Sequence, residues 1–185
     1  GLMGAFSRQM NVQPFKIGPD YIDSAFHTLV TGNSSCNLGS WMLDEETVQG
    51  LFVKNGSKAD LCIIEGVMGL YDGSGAKAGQ GSTAHVAHIL GAPVFLVIDA
   101  GGMADSAAAV VLGYKNFDPR LEIAGVIANR VFGEKHYLLV KEAVEQSTGV
   151  PVLGYLSSNP DLKLSSRHLG LVPGEEMGNW RETAE

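Results

Sequence analysis

Four stretches of the chain are apolar almost without interruption, at residues 59–67, 93–100, 123–131 and 150–156. A strand with one wet face alternates apolar and polar residues. Runs that are apolar on both faces therefore predict parallel strands covered by helices on each side. A further strand is predicted over 12–17, preceded at 1–9 by what reads as the last turns of a helix. Between the strands the period becomes helical over 82–90, 104–114 and 134–148. Asp23 or Ser24 is placed to cap a short helix through Val30. Asp44 is placed to cap another to about Lys54, with Glu45 and Glu46 in its first turn and Gly56 at its end. Strand and helix in alternation predict an α/β protein with a doubly wound, mainly parallel sheet. Residues 70–81, rich in Gly, Ser and Ala and without periodicity, are expected to form a mobile active-site loop. From Ser157 onward the pattern predicts no element and reads as a trailing linker.

Composition narrows the partners more than the fold. The length of 185 residues suits one domain. A net charge of −7 and a pI near 5.2 argue against nucleic acid and anionic membranes, which select a basic face. No apolar run approaches the roughly 20 residues of a membrane-spanning helix, and no basic-then-apolar leader opens the chain. Cys36 and Cys62 have no paired motif spacing, and Cys62 lies within an apolar strand. A reducing, cytoplasmic location is therefore expected.

The candidate chemistry lies where strands stop. Open parallel sheets present reactive groups at their carboxyl ends, and Lys16 leaves the first strand at the Gly18-Pro19 turn. An ammonium there stabilises charge on a transferring phosphoryl group, or else simply closes a strand. Asp20 and Asp23 lie three apart across the turn into a helix, so both carboxylates can face one side to hold a metal or steer a reacting group. Glu65 ends an apolar strand just before Gly66, where a carboxylate needs a cation or several donors; a magnesium ion or a structural ion pair would serve. Asn129 and Arg130 end another strand, where an amide can read an adenine edge or merely terminate the strand. Asp72 and Asp99 are weaker candidates of the same kind. His85 and His88 share a helix without a partner at metal spacing and read as packed or solvated. With His27 and His168 included, no Ser, His and Asp order emerges, so a hydrolytic triad is not supported.

The runs from Gln13-Pro14-Phe15-Lys16 to Asp23, from Glu65 through Gly73, from Gly125 to Val131 and from Arg167 to Pro173 resemble, in order, blocks of the cobyrinic acid a,c-diamide synthases, relatives of dethiobiotin synthetase. The resemblance implies a P-loop NTPase type of fold and an ATP-dependent ligase. Such an enzyme converts the c and then the a side-chain carboxylate of a corrinoid to an acyl phosphate, which ammonia from glutamine attacks. It assigns catalytic roles to Lys16, Asp20 and Asp23, magnesium to Asp20 and Glu65, and nucleotide contact to Asn129 and Arg130, with Mg2+ and ATP as cofactors. The implied partners are a corrinoid or related tetrapyrrole, a glutamine amidotransferase domain and a second copy of the chain.

Three departures shape these expectations. The family's G-x-x-x-x-G-K-[ST] loop is not present, so residues 1–156 are expected to be a synthetase domain whose first strand and P-loop precede the sequence. Neither cysteine sits in a nucleophile elbow, so ammonia must come from a further domain toward which 157–185 leads. Gly39 stands where an aspartate is expected after Leu38. Two other readings remain: amidation of another tetrapyrrole such as a nickel sirohydrochlorin, and a P-loop switch ATPase or non-catalytic homologue.

Overall fold

β1 (Val12–Ile17) is buried at all six positions, and the elements that carry Asp23 and Glu65 pack on it or pair with it. The structure is a computed structural model that describes residues 1–74 and 79–159, with the backbone of short strands at 166–167 and 170–171. Residues 75–78 of the expected loop, His168, and most of the expected linker lie outside the described residues. The described chain divides into two units, residues 1–90 with the short strands at 166–167 and 170–171, and residues 91–159.

In the first unit, α1 (Leu2–Ser7) leads into β1, followed by α2 (Ile22–Thr31), β2 (Cys36–Leu38), α3 (Glu45–Gly56), β3 (Leu61–Glu65) and α4 (Thr83–Leu90). The strands form a parallel sheet in the order β2-β1-β3. Alternation along β1 sends Phe15 and Ile17 into a core with Leu38, Val48 and Val86. Phe15 meets Phe52 of α3 with ring centroids 5.1 Å apart. Lys16, between them, takes the opposite face, where α2 packs on β1. The register pairs Lys16 with Asn37 on one side and Glu65 on the other. Pro14 stands in this central strand although it has no N–H to give to a ladder.

In the second unit, β4 (Val94–Asp99), α5 (Asp105–Phe117), β5 (Ile123–Val131), α6 (Glu134–Thr148) and β6 (Val152–Ser157) alternate, and the parallel sheet runs β4-β5-β6. α5 and α6 pack together. Gly125 leaves room for its neighbours: a Cβ there would lie 2.8 Å from Leu153 Cδ1, and the exposed Leu153 side chain would have to move. The α/β reading with parallel strands holds in both units.

Two differences from the sequence pattern concern short elements. β2 is only three residues, its apolar signal interrupted by Asn37. Ser166–Arg167 and Gly170–Leu171 form a small antiparallel ladder, β7 and β8, within the region expected to be linker. α3 follows expectation: the Asp44 carboxylate accepts from Thr47 N–H at 2.8 Å and Gly56 ends the helix. That hydrogen bond holds the Asp44 carboxyl below its ordinary range. Replacing Asp44 with Ala should lower stability through loss of the cap, read as a reduced midpoint in a denaturant melt; an unchanged midpoint would remove Asp44 from the cap.

Candidate functional site

The turn after β1 is built to deliver carboxylates. Gly18 takes φ +81, a left-handed conformation that suits glycine. The Asp20 carboxylate accepts from the N–H groups of Ile22 and Asp23 at 2.9 and 3.1 Å, so it satisfies the first donors of α2. The sequence pattern gave that capping task to Asp23 or Ser24. The structure corrects it, because α2 begins at Ile22 and Asp23 already lies in its first turn. Asn37 of β2 pins the turn from below, its side-chain NH2 donating to the carbonyls of Gly18 and Asp20 at 2.7 Å each. The Ser24 hydroxyl donates its one proton to Asp20 O at 2.8 Å, with Asn37 Oδ1 as a second acceptor 3.1 Å away. Asn37 had no assigned role in the sequence; its register opposite Lys16 is what gives it one.

Lys16 is the centre of the ionic cluster, and only 3% of it is exposed. Its ammonium donates to Asp23 Oδ2 at 2.6 Å and to Gly66 O at 3.1 Å, and lies 3.7 Å from Glu65 Oε1. An ammonium has three donors, so two are firmly engaged and the third is loosely held. The other Glu65 oxygen is bonded by His27 Nε2. His27 is buried on α2, four residues after Asp23, which places both on the face toward β1. With Glu65 ionised, Nε2 must be the donor, and Nδ1 is left facing the Ser35 hydroxyl at 3.4 Å. Burial pushes the Glu65 carboxyl up, but the His27 hydrogen bond and the Lys16 charge outweigh it, and the net displacement is downward. Glu65 therefore stays ionised while remaining half-exposed.

A pocket of about 600 Å³ opens at this turn. Asp20 and Asp23 face it, and Tyr21, Trp41, Met42 and Met68 supply an apolar rim. Each of the four is more than half exposed. Met68 sits at φ +52, a conformation that costs roughly 1–3 kcal/mol for a side chain of this kind. Lys16 and Glu65 are not on the pocket wall; the cluster reaches it through Asp23.

The sequence thus places Lys16, Asp23 and Glu65 correctly in one cluster, with Asp20 at its edge and His27 as an unassigned member. Among the described residues no three His, Cys, Asp or Glu side chains are grouped as a metal cage. Magnesium usually keeps several waters and takes one or two carboxylates plus substrate phosphates. The half-exposed, ionised Glu65 and the pocket-facing Asp20 fit that sparse mode.

Asn129 and Arg130 belong to the second unit. Asn129 Oδ1 accepts from Arg130 N–H at 2.9 Å, and Arg130, at φ +59, pairs with Asp99 at 2.9 Å. Both ends of that ion pair are exposed, so it adds little stability. Asp72 closes a tight turn onto Gly69, accepting from its N–H at 3.0 Å. Burial pushes both cysteine thiols up, for Cys36 against the pull of Lys54, which keeps them poor nucleophiles.

Comparison with known proteins places these features in context. The family model described as the CobQ/CobB/MinD/ParA nucleotide binding domain matches residues 1–172. Cobyrinate a,c-diamide synthase of Caldanaerobacter subterraneus subsp. tengcongensis is 50% identical over 179 residues, 97% of this chain and 39% of that protein. The Listeria innocua enzyme of the same name is 51% identical over 96% of the chain and 40% of its own length. The chain thus spans about two fifths of the length of these curated relatives. A ParA family ATPase from Chlorobium tepidum TLS covers 86% of the chain and 78% of its own at 14% identity and a TM-score of 0.49, too faint a likeness to fix a fold. Among the described residues no helix is long and apolar enough to cross a membrane.

The depressed Glu65 carboxyl carries a pH consequence. A group whose folded pKa lies below its unfolded value stabilises the fold above the unfolded value, ordinarily 4.5 here, and loses that contribution as pH falls through the folded one. The stability difference between the protein and Glu65→Gln, from denaturant melts, should be level above about pH 5 and shrink on acidification. A difference that grew toward acid pH would contradict the cluster.

Proposed function

Since the chain belongs to the CobQ/CobB/MinD/ParA nucleotide-binding domain family, we propose that it is the carboxylate-activating part of a corrinoid a,c-diamide synthase. A side-chain carboxylate oxygen of cobyrinate attacks the γ-phosphorus of ATP, the bond to the bridging oxygen breaks, and ADP leaves. Ammonia then adds to the acyl phosphate carbon, inorganic phosphate departs, and a proton is lost to give the amide. The c carboxylate is followed by the a carboxylate. Ammonia is taken to derive from glutamine at an amidotransferase domain, as the resemblance to the diamide synthases implies; neither cysteine here is an activated nucleophile that could release it.

What carries this reading is the Lys16–Asp23–Glu65 cluster opening through Asp23 on a pocket whose rim is apolar and whose floor holds Asp20 and Asp23. The rim suits the flat, largely hydrocarbon body of a tetrapyrrole. The charges explain why a cation is needed: Asp23 and Glu65 face the one ammonium, Asp20 lies on the pocket beside Asp23, and two further anions must meet there. Magnesium bound by Asp20 and Glu65 would neutralise charge on the phosphates and the reacting oxygen. Lys16 orients Asp23, the member of the cluster that lines the pocket, and its buried positive charge favours the negative charge that develops there. His27 holds Glu65 in a single orientation, the part that outer partners play for metal-binding carboxylates. Contact with the nucleotide base is assigned in this proposal to Asn129, with Arg130 beside it on β5.

With ammonia supplied to the full protein, ADP formation should require added cobyrinate. Turnover without a tetrapyrrole would favour a nucleotide switch, and no turnover a non-catalytic homologue. Glu65→Gln, equal in size, should abolish amide formation while circular dichroism stays unchanged. His27→Leu should weaken Mn2+ binding, measured calorimetrically in the presence of nucleotide, by tenfold or more. His27→Gln, which keeps an N–H near the Nε2 position, should recover most of it. Equal Mn2+ affinity in all three proteins would remove His27 from this role.

A further inference from the structure

One wall of the pocket is the turn that carries Trp41 and Met42, and the chemistry above gives no role to what holds it. Trp41 and Met42 are exposed, whereas Ser40 between Gly39 and Trp41 is 5% exposed. The Ser40 hydroxyl lies 2.9 Å from His85 Nδ1, and Gly81 N–H is directed at the same nitrogen at 3.4 Å. An amide N–H can only donate, so Nδ1 is an acceptor, Ser40 donates to it, and the ring proton sits on Nε2. Nε2 in turn faces Glu45 Oε1 of the first turn of α3 at 3.8 Å. His85 is itself fixed, because its backbone N–H donates to Ser82 Oγ at 3.1 Å at the start of α4. Packing at the junction is close: a Cβ on Gly81 would lie 3.1 Å from Trp41 Cβ. The Glu45, His85 and Ser40 series has the order of a hydrolytic relay. The buried serine and the 3.8 Å gap to Glu45 give it no access to an acyl group.

We infer that His85 is a positioning residue for substrate selection: through Ser40 it clamps the Trp41–Met42 wall in the place where it meets the apolar face of the macrocycle. The identity of that ligand as a tetrapyrrole rests on the proposed function; the clamp itself does not. His85 touches neither the reacting carboxylate nor the nucleotide. Its loss should therefore appear in the KM for the tetrapyrrole and not in kcat or in the KM for ATP.

The test uses the full protein with His85→Ala, His85→Asn and Ser40→Ala. Asparagine keeps an acceptor near the position of Nδ1. His85→Ala and Ser40→Ala should raise the KM for cobyrinate about tenfold, with kcat and the KM for ATP unchanged, and His85→Asn should restore most of the affinity. In parallel, hydrogen exchange followed by mass spectrometry should show faster exchange of the amides of Met42 and Leu43, which bond to Gly39 O, in the two alanine variants and not in His85→Asn. An unchanged KM for cobyrinate, or an equal rise for ATP, would overturn the inference. If the unaltered protein turns over no tetrapyrrole, the functional reading fails and exchange alone decides. Unchanged exchange in His85→Ala then refutes the clamp, and faster exchange supports it.

Discussion

A buried ammonium is the constraint around which the first unit is organised. Removing a charge from water costs several kcal/mol unless partners replace the lost hydration. Lys16, enclosed on the inner face of a fully buried central strand, survives there because Asp23, Gly66 O and Glu65 surround it. Taking away one partner of such a buried pair typically costs about 3–5 kcal/mol. That penalty explains the surrounding construction. β3 must pair in the register that brings Glu65 beside Lys16. α2 must begin at Ile22 so that Asp23 and His27 descend on the same face. Asn37 must hold the connecting turn so that α2 begins there.

The same cluster is incomplete as an electrostatic system. Its two carboxylates outnumber its one ammonium, and the His27 hydrogen bond helps to keep Glu65 ionised. On the proposed function, such a site repels a phosphate and a substrate carboxylate alike, so that entry of the anionic reactants would depend on a divalent cation arriving with the nucleotide. On the same proposal the apolar rim would hold the body of the ligand by dispersion and burial, with the ionic groups left to its reacting edge.

Much of this was legible in the sequence, for identifiable reasons. The strands announced themselves because burial on both faces leaves continuous apolar runs, and the charged residues that end them are conspicuous for the same reason. Lys16 and Glu65 could therefore be nominated from pattern alone. That they meet at one sheet edge follows from the parallel reading; the register that sets Glu65 directly beside Lys16, 49 positions away, has no local signal. His27 was hidden because a histidine on the inner face of an amphipathic helix has the same pattern as a packed core residue. Asp20 and Asp23 were both visible, but which of them caps α2 depends on where the helix starts, to within two residues. Ser40 and His85 come from different elements, 45 residues apart, and only the turn between Leu38 and α3 brings them together. β2 escaped notice because three residues interrupted by an asparagine carry no period.

The central claim is that this cluster lets a carboxylate and a phosphoryl group come into contact. Transfer of oxygen-18 from cobyrinate labelled in its side-chain carboxylates tests it most directly. The account predicts one labelled oxygen in inorganic phosphate for each amide formed, with both label transfer and amide formation lost in Lys16→Met. Amide formed at the normal rate while the released phosphate stays unlabelled would contradict it.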